Sequence, residues 1–268
     1  MKTPRIWLTC AAAIAATASS SGLAFADPPN DTPTVIVPSR EVRNEIPIVA
    51  YAYSANGASA GTVGVQAYGL SLSGSGQRTV LGGGGTVWGS PIDRVTLIGD
   101  GSRDLFGNFA PSAAVAVRLL GTPNDGFTLA ALGKFKVEGF ATGPNGEMES
   151  EIESGFLLSY AKYGWHMDLN GITGFGTGDD GEIDTEGRLR LGHDLGSLVR
   201  LGIDGQARYR VAGVNKLPGS RNGDFAAGPQ LLIGSRNFFG SLTSGPATMG
   251  VTNNVGFTTF VSIGGATL

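Results

Sequence analysis

Cysteine, histidine and long apolar runs are nearly missing from this chain, and each absence removes a class of protein. One cysteine, Cys10, and two histidines, His166 and His193, occur in 268 residues. A single thiol excludes a disulfide framework and a cysteine-ligated metal, so stability must come from packing or from closure of a sheet. No stretch after the first twenty-six residues approaches the ~18 consecutive apolar residues of a membrane helix, and helix-forming stretches are scarce. His-Glu-x-x-His is absent, which removes the common signature of zinc proteases, and Gly57-Ala58-Ser59-Ala60-Gly61 lacks the following helix of a serine-hydrolase nucleophile elbow.

What is present begins with a basic start, Lys2 and Arg5, followed by an apolar stretch from Ile6 to Ala18 and by Ala24-Phe25-Ala26 ahead of Asp27. The apolar middle is shorter than the ~20 residues a spanning helix needs, and small residues at Ala24 and Ala26 suit signal peptidase, so residues 1–26 read as a signal peptide. Trp7-Leu8-Thr9 before Cys10 lacks the small residues of a lipidation site. Cleavage after Ala26 removes Cys10, Lys2 and Arg5, leaving 17 Lys+Arg against 22 Asp+Glu, a formal charge of −5. Nucleic acid is an unsuitable partner for an exported acidic chain.

Residues 27–46 are proline-rich and polar and read as a periplasmic leader. From Pro47 onward the chain alternates polar and apolar residues in runs separated by Gly, Asn, Asp and Pro clusters, the pattern of antiparallel strands joined by turns. Glycine, at 44 of 268 residues, is more than twice its usual ~7% share. In Phe127–Phe140, Phe127, Leu129, Ala131, Phe135 and Val137 share one face, and Thr128, Lys134, Lys136 and Glu138 the other. Met148–Lys162 opposes Glu149, Glu151 and Glu153 to Ile152, Phe156, Leu158 and Tyr160. Trp165–Phe175 separates His166, Asp168 and Asn170 from Trp165, Met167 and Leu169. Glu182–His193 sets Glu182, Asp184, Glu186, Arg188 and Arg190 against Ile183, Leu189 and Leu191. Leu198–Val211 sets Arg200, Asp204, Gln206, Arg208 and Arg210 against Val199, Leu201, Ile203, Tyr209 and Val211. Such strands exceed the ~5–6 residues usual in soluble sheets and suit a tilted crossing of ~25 Å of lipid.

Connections alternate tight (Tyr163-Gly164, Asp194–Ser197, Ser235–Asn237) with longer (Gly176–Gly181, Gly213–Asp224, Thr243–Asn254), as expected for short periplasmic turns and longer external loops. Earlier strands are expected at Pro47–Ser54, Thr62–Ser73, Ile92–Gly99 and Ala110–Leu120, with Gly82–Gly85 as a turn or bulge. The total is an all-β, antiparallel up-and-down transmembrane β-barrel of about 12 strands, with 10 or 14 as alternatives. Tyr163, Trp165, Phe238 and Phe239 at one end, and Phe140, Phe175, Tyr209 and Phe225 at the other, form the expected aromatic girdles.

Signal peptide, alternating strands and a C-terminal strand together resemble the Gram-negative outer-membrane β-barrel proteins as a broad class, over about Pro47 to Leu268. The resemblance implies outer-membrane lipid and the barrel insertion machinery as partners. Members commonly finish on an aromatic residue, whereas this chain finishes Gly264-Gly265-Ala266-Thr267-Leu268, with Phe257 and Phe260 upstream.

If apolar faces meet lipid, the polar faces line a lumen. Its expected charge ladder comprises Lys134, Lys136, Glu138, Glu149, Glu151, Glu153, Asp168, Glu182, Asp184, Glu186, Arg188, Arg190, Arg200, Asp204, Arg208 and Arg210. Mixed signs on adjacent strands point to cross-strand pairs, and the order along Glu182–Arg190 to an acidic and a basic tier. The expected function is a structural or weakly conducting passage for small polar solutes, without catalysis, cofactor or metal. Two other readings stay open: a soluble periplasmic or secreted barrel with apolar faces turned inward around a small molecule, and an outer-membrane hydrolase using His166 beside Asp168. His193, next to Asp194, reads as a turn residue, and Asp179–Asp184 as an acidic turn and not a calcium loop, since flanking helices and a closing glutamate are absent. Gly82–Gly85 before Trp88 lacks the following helix of a phosphate cradle.

Overall fold

The computed structural model describes residues 48–49, 51–74, 79–103, 109–138, 149–177, 182–212, 223–235, 237–249 and 252–267. The expected signal peptide and leader, residues 1–46, lie outside the described residues. Two short paired segments, β1 (Ile48–Val49) and β2 (Ala52–Tyr53), come first. Twelve long strands follow: β3 (Val63–Gly74), β4 (Val80–Ile92), β5 (Val95–Arg103), β6 (Phe109–Thr122), β7 (Asp125–Glu138), β8 (Glu149–Lys162), β9 (Trp165–Gly176), β10 (Ile183–Asp194), β11 (Val199–Ala212), β12 (Gly223–Gly234), β13 (Phe238–Met249) and β14 (Thr252–Thr267). Each pairs antiparallel with its sequence neighbours, and β14 closes on β3 from Gly256↔Gly74 to Thr267↔Val63, so the sheet has no free edge. Among the described residues there is no helix.

Period-two alternation decides which way each side chain points. Phe135, Leu189 and Ile203 are 43%, 41% and 51% exposed on the outer wall, whereas Glu151 and Arg190, at 6% and 5%, are enclosed. A soluble barrel would invert this arrangement. Tight turns gather at one rim. Arg94, Asn124 and Tyr163 there adopt positive φ of 74°, 64° and 54°, and Gly164 follows at 80°, the geometry of short hairpin connections. Tyr163, Trp165 and Phe238 lie exposed at this rim, and Phe175, Tyr209 and Phe225 toward the other. Phe140 lies outside the described residues.

The strand count matches the expected number, but its membership differs. Pro47–Ser54 contributes no barrel strand; its described part lies inside the lumen. In its place stands β4, where Gly82–Gly85 is extended backbone paired to β3 and β5, and neither turn nor bulge. Glycine is required there because Tyr68 lies across the inner wall: a Cβ on Gly84 would stand 2.6 Å from the Tyr68 hydroxyl. At Gly64 the Trp88 ring would be met at 2.2 Å, so the wall is thinned where an aromatic ring lies flat on it. Ile92–Gly99 is split by the Asp93-Arg94 turn. The expected long link Thr243–Asn254 is strand up to Met249 and again from Thr252, because small and hydroxyl residues with a proline hid its alternation. Phe239 turns inward and packs on Trp88, with ring centroids 6.1 Å apart, and so leaves the girdle.

Candidate functional site

The charged wall of the lumen runs from β7 to β11, and antiparallel register brings opposite signs face to face. Lys134 opposes Glu153 and Lys136 opposes Glu151. The Lys134 ammonium donates to both Glu153 oxygens at 3.0 Å, and Lys136 Nζ lies 3.5 Å from Glu151 Oε2. On β10 and β11, Arg208 pairs with Asp184 and lies 3.6 Å from Glu151, while Arg210 pairs with Glu182 and lies 3.8 Å from Asp184. Arg188 Nη2 donates to Glu186 Oε2 at 2.9 Å. Nearer the tight-turn rim, Arg190 holds Asp168, donating from Nε at 2.7 Å, and Ser159 Oγ donates to the other Asp168 oxygen at 2.5 Å. Asp194 joins Arg200 Nε at 2.8 Å and His166 Nε2 at 2.8 Å. Asp204 accepts from Gln230 Nε2 at 2.9 Å. Glu138 and Glu149 are backbone partners across β7 and β8, but their side chains lie outside the described residues.

Separate acidic and basic tiers are therefore not formed. The acids at the start of β10 meet the arginines at the end of β11, because antiparallel strands superpose opposite ends of the two sequences. Among the described residues, Lys134, Lys136, Arg188, Arg190, Arg200, Arg208 and Arg210 each meet a carboxylate in their own layer, whereas Asp204 is held by the neutral Gln230 amide and the Tyr51 N–H. His166 is committed to Asp194, one element away from its expected partner Asp168. His193 points outward at the rim, its ring 4.6 Å from that of Trp165. The central part of the Asp179–Asp184 turn lies outside the described residues.

Residues 51–62 carry the chain through the lumen; of these, Tyr51–Ser54 was expected as wall, and residues 55–61 as a connection. Tyr53 is bonded twice by Asn170: its N–H donates to Oδ1 at 2.7 Å, and Nδ2 donates to its carbonyl at 2.9 Å. Ala55 N–H donates to Ser159 Oγ at 2.7 Å and Tyr51 N–H to Asp204 Oδ2 at 3.3 Å. Arg188 donates to the Tyr51 carbonyl at 3.1 Å and lies over the Tyr53 ring; Arg118 donates to the Asn56 carbonyl at 2.9 Å. At the far end Ser90 Oγ donates to the Ala58 carbonyl at 2.8 Å, and Gly61 and Thr62 then join the backbone of β4 at Ser90. Beneath this strap lies an apolar inner patch that includes Trp88, Ile98, Ala116, Leu132, Leu157 and Ile172. Inward apolar residues on β4 to β9 were not expected; they are the seat of the strap. A residual gap of about 10 Å³ between Ser54–Ala58 and the wall shows how closely the two fit.

On the side of this floor away from the tight turns, two cavities share Lys134, Lys136, Arg188 and Gln206. One, of about 250 Å³, is lined by the ion pairs of β7 to β11. The other, of about 200 Å³, has an aromatic flank of Tyr51, Tyr53, Tyr68 and Phe260. Tyr68 stacks on Phe260 at 5.4 Å and donates to both oxygens of Asp100 at 2.8 Å. Sequence reasoning missed Ser159, Tyr68 and Phe260 as lumen-building residues. Asn170 stood on the expected polar face, yet nothing local announced its backbone partner 117 residues away.

The solved structure of an outer membrane channel from Pseudomonas putida F1 aligns with 78% of this chain and 96% of its own length, at 13% identity and a TM-score of 0.50. The fold is that of the outer-membrane β-barrels. Looser likenesses are found to the N-terminal β-barrel domain of Pseudomonas aeruginosa OprF (78% of this chain, 98% of that one, 11% identity, TM-score 0.29) and to the translocator domain of the autotransporter NalP from Neisseria meningitidis (76% and 88%, 12% identity, TM-score 0.39). These two add nothing to the assignment. No protein-family model and no curated protein matches the chain. For an outer-membrane barrel the outward belt of Phe, Leu, Ile and Val is the lipid-facing surface, and the site just described is its lumen.

Proposed function

We propose that this chain, exported by residues 1–26 and seated by the insertion machinery, is a narrow outer-membrane passage for small polar solutes, closed by residues 51–62. The supporting observation is the way the strap is held. From Tyr51 to Ala58 its bonds to the wall run through side chains, among them Asn170, Ser159, Asp204 and Arg188, and a barrel ladder begins only at Gly61. Each such bond contributes ~0.5–1.5 kcal/mol net, so the strap is separable from a wall whose own ladder is continuous. Polar cavities beyond it give a hydrated solute somewhere to wait. The similar solved structure is described as a channel, and the likeness extends over most of both chains. In this reading His166 positions Asp194 and takes no part in catalysis.

Planar-bilayer recording tests the reading. The full chain is expected to show small or intermittent conductance, and a variant lacking residues 48–59 to show a steady conductance several-fold larger. A deletion variant that folds, judged by a heat-shifted gel band, yet conducts no better than the full chain would refute it.

A further inference from the structure

The three cations shared by the two cavities are asymmetrically placed. Their carboxylate partners, Glu153, Glu151 and Glu186, all line the larger cavity and none lines the aromatic-flanked one. On that second side the only acid among the described lining residues is Asp100, whose two oxygens both accept from Tyr68. Each of the three cations is paired, but its carboxylate lies on the larger cavity's side, so the described lining of the smaller one presents the positive end of three ion pairs and one acid that is already hydrogen-bonded, which favours an anion.

Two buried polar atoms of its lining residues have no hydrogen-bond partner among the described residues. Gln66, 4% exposed and part of the lining, has an amide oxygen with no hydrogen-bond donor, and Arg188 Nε is likewise unmatched. A buried acceptor calls for a ligand that donates, and a buried guanidinium N–H for one that accepts. The remaining lining includes Thr86, Ser102, Ser112 and Gln206, and the aromatic flank offers ring surface for C–H groups. At about 200 Å³ the space is smaller than the ~300–1,000 Å³ of drug-sized sites.

We infer that this cavity is a binding site for a small hydroxylated carboxylate, of the size of a single sugar acid. Its carboxylate faces Lys134, Lys136 and Arg188, and its hydroxyl groups face Gln66 and the Ser/Thr side chains. The inference deepens the reading of the lumen as a solute passage and names the class of solute. It does not require the strap to move.

Isothermal titration of the full folded barrel in detergent with glucuronate, glucose and glucosamine tests it. Glucuronate is expected to bind in the millimolar range or tighter, with glucose and glucosamine at least tenfold weaker. Lys136→Gln should weaken glucuronate about tenfold. If that variant fails to give a heat-shifted band, Gln66→Leu carries the test, with a loss of threefold or more. Equal binding of glucose, absence of glucuronate binding to the folded wild-type barrel, or unchanged affinity in a folded Lys136→Gln or Gln66→Leu variant would overturn the assignment. Because titration uses the closed chain, a barrel that binds glucuronate but never conducts would defeat the passage reading alone. One that conducts after deletion of residues 48–59 but never binds would defeat this one alone.

Discussion

The wall from β7 to β11 and the wall from β3 to β6 enclose one lumen with different material. On β7 to β11, long charged side chains reach inward and meet across strands, as Arg190 meets Asp168 and Lys134 meets Glu153. On β3 to β6 many inward positions are glycine, alanine, serine or threonine, with Gln66, Tyr68, Leu72, Trp88, Ile98, Asp100 and Arg118 between them. Short side chains leave volume, and in the tight-turn half of the barrel that volume holds residues 51–62. A closed barrel of twelve strands must fill its interior by one means or the other, because enclosed empty space forfeits contacts. Charged filling rigidifies the wall, whereas filling by a separate segment creates a part that can be removed.

Breaking the charged wall should have the largest effect on stability. Arg190→Ala leaves the buried carboxylate of Asp168 with Ser159 and no cation, and such uncompensated charges cost ~3–5 kcal/mol. The temperature at which the heat-shifted gel band disappears should fall accordingly. An unchanged transition would show that the ion pairs are ornaments of a wall held by its ladder alone.

Loosening the strap should act on conduction more than on the barrel. Asn170→Ala removes both bonds to the Tyr53 backbone and leaves buried peptide groups unsatisfied, at ~1–3 kcal/mol. Open events in bilayer recordings should become about tenfold more frequent, while the gel transition moves little. Equal damage to both would mean that strap and wall are one cooperative unit. The smallest effect is expected at the rim, where Lys162 and Asp125 pair at 3.4 Å with side chains 42% and 71% exposed. Lys162→Ala should leave the transition in vesicle-based unfolding where it is, because an exposed pair is screened by solvent.

The same contrast explains what could be read from the sequence. Strands β7 to β11 were legible because Glu, Asp, Lys and Arg alternate there with Phe, Leu and Ile, so one face is unmistakably polar. In β4 the run Gly82–Gly85 and the alternation of Thr86, Val87 and Trp88 offer little contrast between faces, and its inner face carries an indole. Tyr51-Ala52-Tyr53 shows a strand-like alternation, which is why Pro47–Ser54 passed for wall. What distinguishes it is its seat, built from Ser159, Asn170 and Asp204 on three other strands, and no local pattern records that. The members of the charge ladder stood out individually. Their layering did not, since it depends on which end of β11 lies beside which end of β10.

The placement of residues 51–62 inside the barrel is tested most directly by a paired substitution, Ala55→Cys with Ser159→Cys. Mild oxidation of the folded protein should form the disulfide in high yield, giving a folded species whose conductance stays at the closed level until a reductant is added. Two thiols that remain reduced and freely labelled in the folded band, or a cross-linked barrel that conducts as widely as one lacking residues 48–59, would contradict the account.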